Sequence, residues 1–304
     1  MSSSKKVIVA ALIGNAIISL AKFTAATITG SSAMLSEGVH SVVDTGNQVL
    51  LLYGLRQAQK PPDELFPFGH GKEVYFWSFV VAILIFGLGA GISIYGGIAQ
   101  ILNPHVIENP MVNYLVLGFA LVVESAAWYM AFKEFRLRKG NMGYLEAVRR
   151  SKDPSVFLIL FEDSAAMLGL LIAAVGVYMS ASLGYLWLDG VASICIGLVL
   201  AGTATWLAIE TKGLLIGERA NLDIVDGIRT ISSTYDKVHR VHEVLTMHMG
   251  PEFILVNISV KFADTATAVE IESTIEEIDL AIKTAYPLVK RIFVEAERTL
   301  ALSV

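Results

Sequence analysis

Six long apolar stretches decide what this chain can become. They cover residues 7–29, 33–55, 74–102, 111–133, 155–179 and 186–210. A helix needs about 20 mostly apolar residues to cross the hydrocarbon layer of a bilayer, and every one of the six is long enough. Composition points the same way. Of 304 residues, 54% are hydrophobic and 17% charged, with a mean hydropathy of +0.61. Soluble domains carry more charge, about a quarter of their residues. A disordered chain and an ordinary soluble enzyme are therefore excluded. The net charge of −5 argues against a nucleic-acid partner, whose phosphates call for a basic face. The single cysteine, Cys195, excludes a disulfide scaffold and a cysteine-rich zinc site.

Lysine and arginine favour the cytoplasmic side of a membrane. Lys5 and Lys6 precede the first span, and Arg56, Lys60 and Lys72 lie between the second and third. Arg136, Arg138, Lys139, Arg149, Arg150 and Lys152 lie between the fourth and fifth, and Lys212 and Arg219 follow the sixth. The connections near 30–32, 103–110 and 180–185 contain neither residue. This predicts six spans with both ends inside. The first run follows Ser-Ser-Ser-Lys-Lys, which imitates a signal peptide, but it is longer than a signal core and five more runs follow, so it reads as an uncleaved helix. Lys22, near the outer end of span one, is the exception, and is expected to snorkel.

The excess negative charge lies in the tail. Residues 218–304 hold 14 acidic and 9 basic side chains, whereas residues 1–217 hold 14 of each. The tail predicts a helix over 221–234, strands over 239–248 and 253–262 joined at Gly250-Pro251, a helix over 267–285 and a strand over 289–297. In the second strand Ile254, Val256, Ile258, Val260 and Phe262 alternate with Leu255, Asn257, Ser259 and Lys261, the period of a half-buried strand. The fold class is thus a mostly α membrane protein with a C-terminal α+β unit of order α-β-β-α-β. The expected domains are 1–212, spanning the membrane, and 213–304, a cytoplasmic ferredoxin-like unit.

A charge in the bilayer core costs about 2.5–3.5 kcal/mol even on insertion scales, so an intramembrane ionisable residue is a functional candidate by default. These are Glu37, His40 and Asp44 in span two, Glu124 in span four, Glu162 and Asp163 in span five, and Asp189 at the start of span six. Glu37, His40 and Asp44 are three and four apart, so they share one helix face. An imidazole with carboxylates suits zinc and other first-row divalent ions. Packing or pairing roles compete with this reading for Glu37, Glu124 and Asp189.

The run Gly30-Ser31-Ser32-Ala33-Met34-Leu35 leads to His40-x-x-x-Asp44. Phe68-Gly69-His70-Gly71-Lys72-Glu73, the span-five acids, Leu188-Asp189-Gly190 and the α+β tail then follow. In these features and their order the chain resembles the cation diffusion facilitator family over nearly its whole length. The resemblance implies a homodimeric metal/proton antiporter, with metal ion, proton and lipid bilayer as partners and no cofactor beyond the transported ion. It implies ligands His40 and Asp44 from span two and Asp163 from span five. The position four before Asp163, where the family has another ligand, is Ile159. Glu162 or Glu37 is the expected replacement. Some family members hold a second ion after span two, and Asp63 and His70 match that pattern, with Phe66 at a further histidine position. Tail metal binding in the family points to His242. His248, six residues on, shares its strand parity, while Asn257 stands where a histidine is expected and Glu295 and Glu297 lie near a final ligand position.

Zinc fits the His/Asp pair best, with Fe(II), Co(II), Mn(II) and Cd(II) open. A divalent ion needs a neutral imidazole and ionised carboxylates, so binding expels protons and protonation expels metal. Histidine, with an unperturbed pKa near 6.5, changes charge near neutrality. The expected setting is a bacterial inner membrane. Two other classes compete. One is a non-transporting metal sensor or scaffold. The other is an intramembrane metalloenzyme, which the lack of His-Glu-x-x-His disfavours.

Overall fold

The computed structural model describes residues 3–140, 142–152 and 154–297. Contacts divide the chain into two compact units, Met1–Arg56 with Val74–Lys212, and Gln57–Glu73 with Gly213–Val304. The loop 57–73, read from sequence as part of the first domain, groups with the tail.

The first unit is helical. Helices α1 (Ser3–Thr29) and α2 (Ser32–Ala58) are followed by α3 (Glu73–Leu84), a π-helical turn (Ile85–Ala90) and α4 (Gly91–Leu102). Then come α5 (Pro110–Lys139), the short α6 (Tyr144–Arg150), α7 (Pro154–Leu183) and α8 (Trp187–Ile216). Among the described residues, four helical runs are long and apolar enough to cross a membrane: Glu73–Leu102, Pro110–Leu137, Phe157–Leu183 and Trp187–Ile216. Helices α1 and α2 have 27 residues each, or ~40 Å at 1.5 Å per residue.

Local chemistry sets the breaks. Gly30, at φ +70°, turns the chain between α1 and α2 in a conformation that a side chain would strain. Pro110 opens α5, where a missing N–H does no harm. The third apolar run is not one uniform helix. Gly87, Gly89 and Gly91 weaken it, and the wider turn falls among them. Beyond that turn α4 lies backbone to backbone against α8. A Cβ on Gly97 would stand 2.5 Å from the Gly190 carbonyl oxygen, and one on Gly190 2.6 Å from that of Gly97. Helix α5 packs on α7 and α1. The core beneath is aliphatic and includes Met34, Leu158, Leu170, Ile196, Leu200 and Leu207.

The second unit contains α9 (Leu222–Ser232), β1 (Val238–Gly250), β2 (Phe253–Phe262), α10 (Ala268–Ala285) and β3 (Val289–Ala296). The sheet order is β1-β2-β3, antiparallel between the first pair and parallel between the second. The predicted inward face of β2 is the observed one: Ile254, Val256, Ile258, Val260 and Phe262 are all buried, packed with Ile228, Ile278 and Ile282 of the two helices. Helix α10 starts with a capping box, in which Thr267 accepts from the Glu270 N–H and Glu270 accepts from the Thr267 N–H. The loop 57–73 packs onto this unit, with Gly71 against the backbone of Met249 and Gly250.

Candidate functional site

Helix α2 carries Glu37, His40, Asp44 and Asn47 along one face, because each step is three or four residues. His40 is 1% exposed, and its Nδ1 lies 3.3 Å from Asp44 Oδ1. That contact lacks hydrogen-bond alignment, so neither ring nitrogen has a hydrogen-bond partner among the described residues. Helix α7 supplies Glu162, whose Oε1 accepts a 2.6 Å bond from Asn47 Nδ2. The carboxyl groups of Asp44 and Glu162 lie within hydrogen-bond reach of one another.

These groups border a cavity of about 170 Å³, room for a small ion with a few waters. Asp44 and Ser41 of α2, Glu124 of α5, and Ile159, Glu162 and Asp163 of α7 are in its wall. The structure thus brings together the two predicted helices, with acids from both, and adds a third helix through Glu124. Ile159 faces the same space as an apolar patch. His40 touches the site through Asp44 rather than lining the cavity.

Glu37 has a different neighbour. Its Oε2 accepts from Lys22 Nζ at 2.9 Å, and Lys22 also donates to Glu124 Oε1 and to Ser41 Oγ, each at 2.9 Å. Lys22 and Glu37 are both completely buried. The expectation that Lys22 snorkels is therefore corrected, since its ammonium turns inward to two carboxylates. No local spacing points to the Lys22–Glu124 pair, because the two residues are 102 apart in the chain. Sequence reasoning also overlooked Asn47, although the spacing of three from Asp44 marks it.

Asp189 is structural. Its Oδ1 accepts from Ser31 Oγ at 2.6 Å, and its Oδ2 from the Ser32 and Ala33 N–H groups. A carboxylate from α8 thus caps the N-terminus of α2, where free N–H groups and the helix dipole favour negative charge.

In the second unit Asp63 and His70 meet, with His70 Nε2 2.9 Å from Asp63 Oδ2. Asp63 Oδ1 accepts from the Leu65 and Phe66 N–H groups, and the Phe66 ring packs on His70 with centroids 4.6 Å apart. The His70 hydrogen bond, aided by those backbone donors, holds the Asp63 carboxyl below its usual pKa. On β1, the pairing shifts between Val241 and Glu243. His242 is the extra residue of that bulge, so the parity it was expected to share with His248 is broken. The His242 ring nitrogens have no hydrogen-bond partner among the described residues. His248 is buried opposite Ile254. Glu297 accepts from Ser259 Oγ, and Glu295 pairs across the sheet with Ser259. Among the described residues, no group of three or more His, Cys, Asp or Glu stands at the spacing of an assembled metal site.

Residues 8–216 match the family model of the cation efflux transmembrane domain. The chain is 33% identical over 252 residues to the proton-coupled zinc antiporter SLC30A9, mitochondrial, of Xenopus laevis, covering 82% of this chain and 45% of that protein. It is 32% identical over 218 residues to metal tolerance protein C4 of Arabidopsis thaliana, covering 70% and 47%. It is 24% identical over 251 residues to the manganese efflux system protein MneP of Bacillus subtilis, covering 81% and 80%. The chain therefore spans less than half the length of the first two relatives.

Proposed function

The chain belongs to the cation efflux family, and from that premise we propose that it is a secondary transporter, not an enzyme, which exports a divalent metal cation, zinc first, in exchange for protons. The observation that carries this reading is the polar cavity inside an apolar bundle, where Asp44 of α2 meets Glu162 and Asp163 of α7. Buried carboxylates without enough counter-charge take up either protons or a cation. One set of side chains thus serves both cargoes in turn. His40, behind Asp44, completes the set when the ion is bound, and its open ring nitrogens are free to ligate. Glu162 takes the place left by Ile159, held in position by Asn47. Glu37 is committed to Lys22 and is left out of the ligand set. The proton-coupled zinc antiporter among the relatives supports zinc. Manganese is the second reading, supported by a wall rich in carboxylate oxygen, which suits harder ions.

The same proposal extends to the assembly. Helices α1 and α2 complete six spans with the four strongly apolar runs, both ends lie on the cytoplasmic side of a bacterial inner membrane, and two copies form a homodimer. The lysine and arginine distribution supports the orientation. The second unit serves dimerisation first, and His242, His248 and the Asp63–His70 pair are the places where a regulatory metal would bind.

The test is zinc flux by the purified full chain in proteoliposomes under an imposed pH gradient, repeated metal by metal. Asp44→Asn is expected to reduce zinc flux and zinc-dependent proton release by at least about tenfold, since changing even an outer partner of a metal ligand costs about 10–100-fold. Absence of flux for every metal in the unaltered chain, or unaltered flux in Asp44→Asn, refutes the reading.

A further inference from the structure

Lys22 is a completely buried ammonium whose three protons are all used: on Glu37 Oε2, Ser41 Oγ and Glu124 Oε1. Two of these partners, Ser41 and Glu124, are in the cavity wall, whereas Lys22 is not. The ammonium therefore sits behind the wall and grips it from two helices, α2 and α5. One carboxylate would suffice to neutralise it. The structure supplies two, and the second, Glu124, lines the cavity; its other oxygen, Oε2, is buried and lacks a hydrogen-bond partner among the described residues. A carboxylate at the edge of a cation site, with one oxygen held by a fixed positive charge, is a ligand kept in check.

We propose that Lys22 is a positioning residue that sets the affinity of the cavity: it holds Glu124 back from the cargo, so that the ion is bound loosely enough to leave. The inference rests on the cavity's being the cargo site, as proposed above. A fixed cation near the site also opposes the arrival of a second one. Removing the ammonium acts twice in one direction, since it deletes the repulsion and releases the Glu124 carboxylate as an additional oxygen ligand. Ion release then becomes the slow step.

Two measurements on the detergent-purified full chain test this: zinc affinity by competition with a chromophoric chelator, and zinc flux in proteoliposomes. Lys22→Gln is expected to bind zinc about tenfold more tightly, the scale seen when a residue behind the ligands is changed, with a lower KM and a lower maximal flux. Adding Glu124→Gln is expected to return affinity to that of the unaltered chain, because the released carboxylate is gone while the summed charge of the cluster is as before. A misfolded protein would lose affinity and rate together, so tighter binding with slower flux separates the two. Unchanged or weaker zinc binding in Lys22→Gln overturns the proposal, as does a double variant that binds like the single one. If Lys22→Gln does not fold, the charge-balanced double variant decides, since binding by it that is tighter than in the unaltered chain, or absent, overturns the proposal. Failure of the underlying reading looks different, because Asp44→Asn would then bind and carry zinc normally.

Discussion

Replacing Asn47 with leucine removes the amide donor to Glu162 from the proposed cargo site while keeping the number of side-chain heavy atoms. Asn47 Nδ2 and Glu162 Oε1 are 2.6 Å apart, and both residues are buried. Bonds from a neutral donor to a charged group contribute about 1.5–3 kcal/mol, and each 1.4 kcal/mol is about a tenfold change in an equilibrium constant. If all of that orienting energy serves the metal-bound arrangement, zinc binding weakens by about 10- to 100-fold. The direction is opposite to that expected for Lys22, for a physical reason. An amide only fixes where Glu162 points, whereas an ammonium also repels the cargo. The assay is equilibrium zinc binding by the purified full chain, with monodispersity as the check on folding. A monodisperse Asn47→Leu protein whose zinc affinity stays within about twofold of the original would refute the idea that Asn47 orients Glu162 for the ion.

Asp189→Asn keeps the shape but replaces an acceptor-only group with one that also donates, so at least one of the Ser31, Ser32 and Ala33 bonds is lost. A fall of about 1–3 kcal/mol in stability follows, read as a lower Tm in detergent; an unchanged Tm contradicts the capping role. Ile258→Ala empties a completely buried position at the centre of β2 and should cost about 2–5 kcal/mol, read from hydrogen exchange of β2 amides. The Lys237 hydrogen bond, then the Thr267 donors, hold Glu270 down at a pKa of about 2 against an ordinary 4.5. Its contribution to the start of α10 is therefore full above pH 4.5 and lost as pH falls towards 2. Amide protection at residues 268–271, taken relative to the intrinsic exchange rate at each pH, should fall over that window, and Glu270→Gln should flatten the dependence.

Where a signal repeats locally, the sequence was readable. The alternation of Ile254 through Phe262 predicts the buried face of β2 because each residue votes for the same pleat. The 3-and-4 spacing of Glu37, His40 and Asp44 predicts a shared helix face, and Asp44 does come together with the span-five acids. What escaped depends on partners far along the chain or on irregular backbone. Lys22 looks like a snorkelling residue until α2 and α5 bring Glu37 and Glu124 to it. His242 and His248 share parity only in a regular strand, and one extra residue at the bulge undoes the count. The loop 57–73 carries no apolar period that would join it to the tail; its tie is a close backbone approach at Gly71. Glu37, which sequence reasoning offered as a replacement ligand, differs from Glu162 only in its neighbours.

The third apolar run has an internal division of labour. Its second half is clasped to α8 at Gly97 and Gly190 with no side chains between them, so those two rods travel together. Its first half, α3, packs instead on α2, where a Cβ on Gly54 would stand 2.8 Å from the Trp77 Cβ, and the wide turn between the halves departs from the α-helical register of bonds. A bend placed at Ile85–Ala90 falls where the helix has already changed its register. Any rocking that uncovers the interior first to one face of the bilayer and then to the other has a ready-made knuckle there.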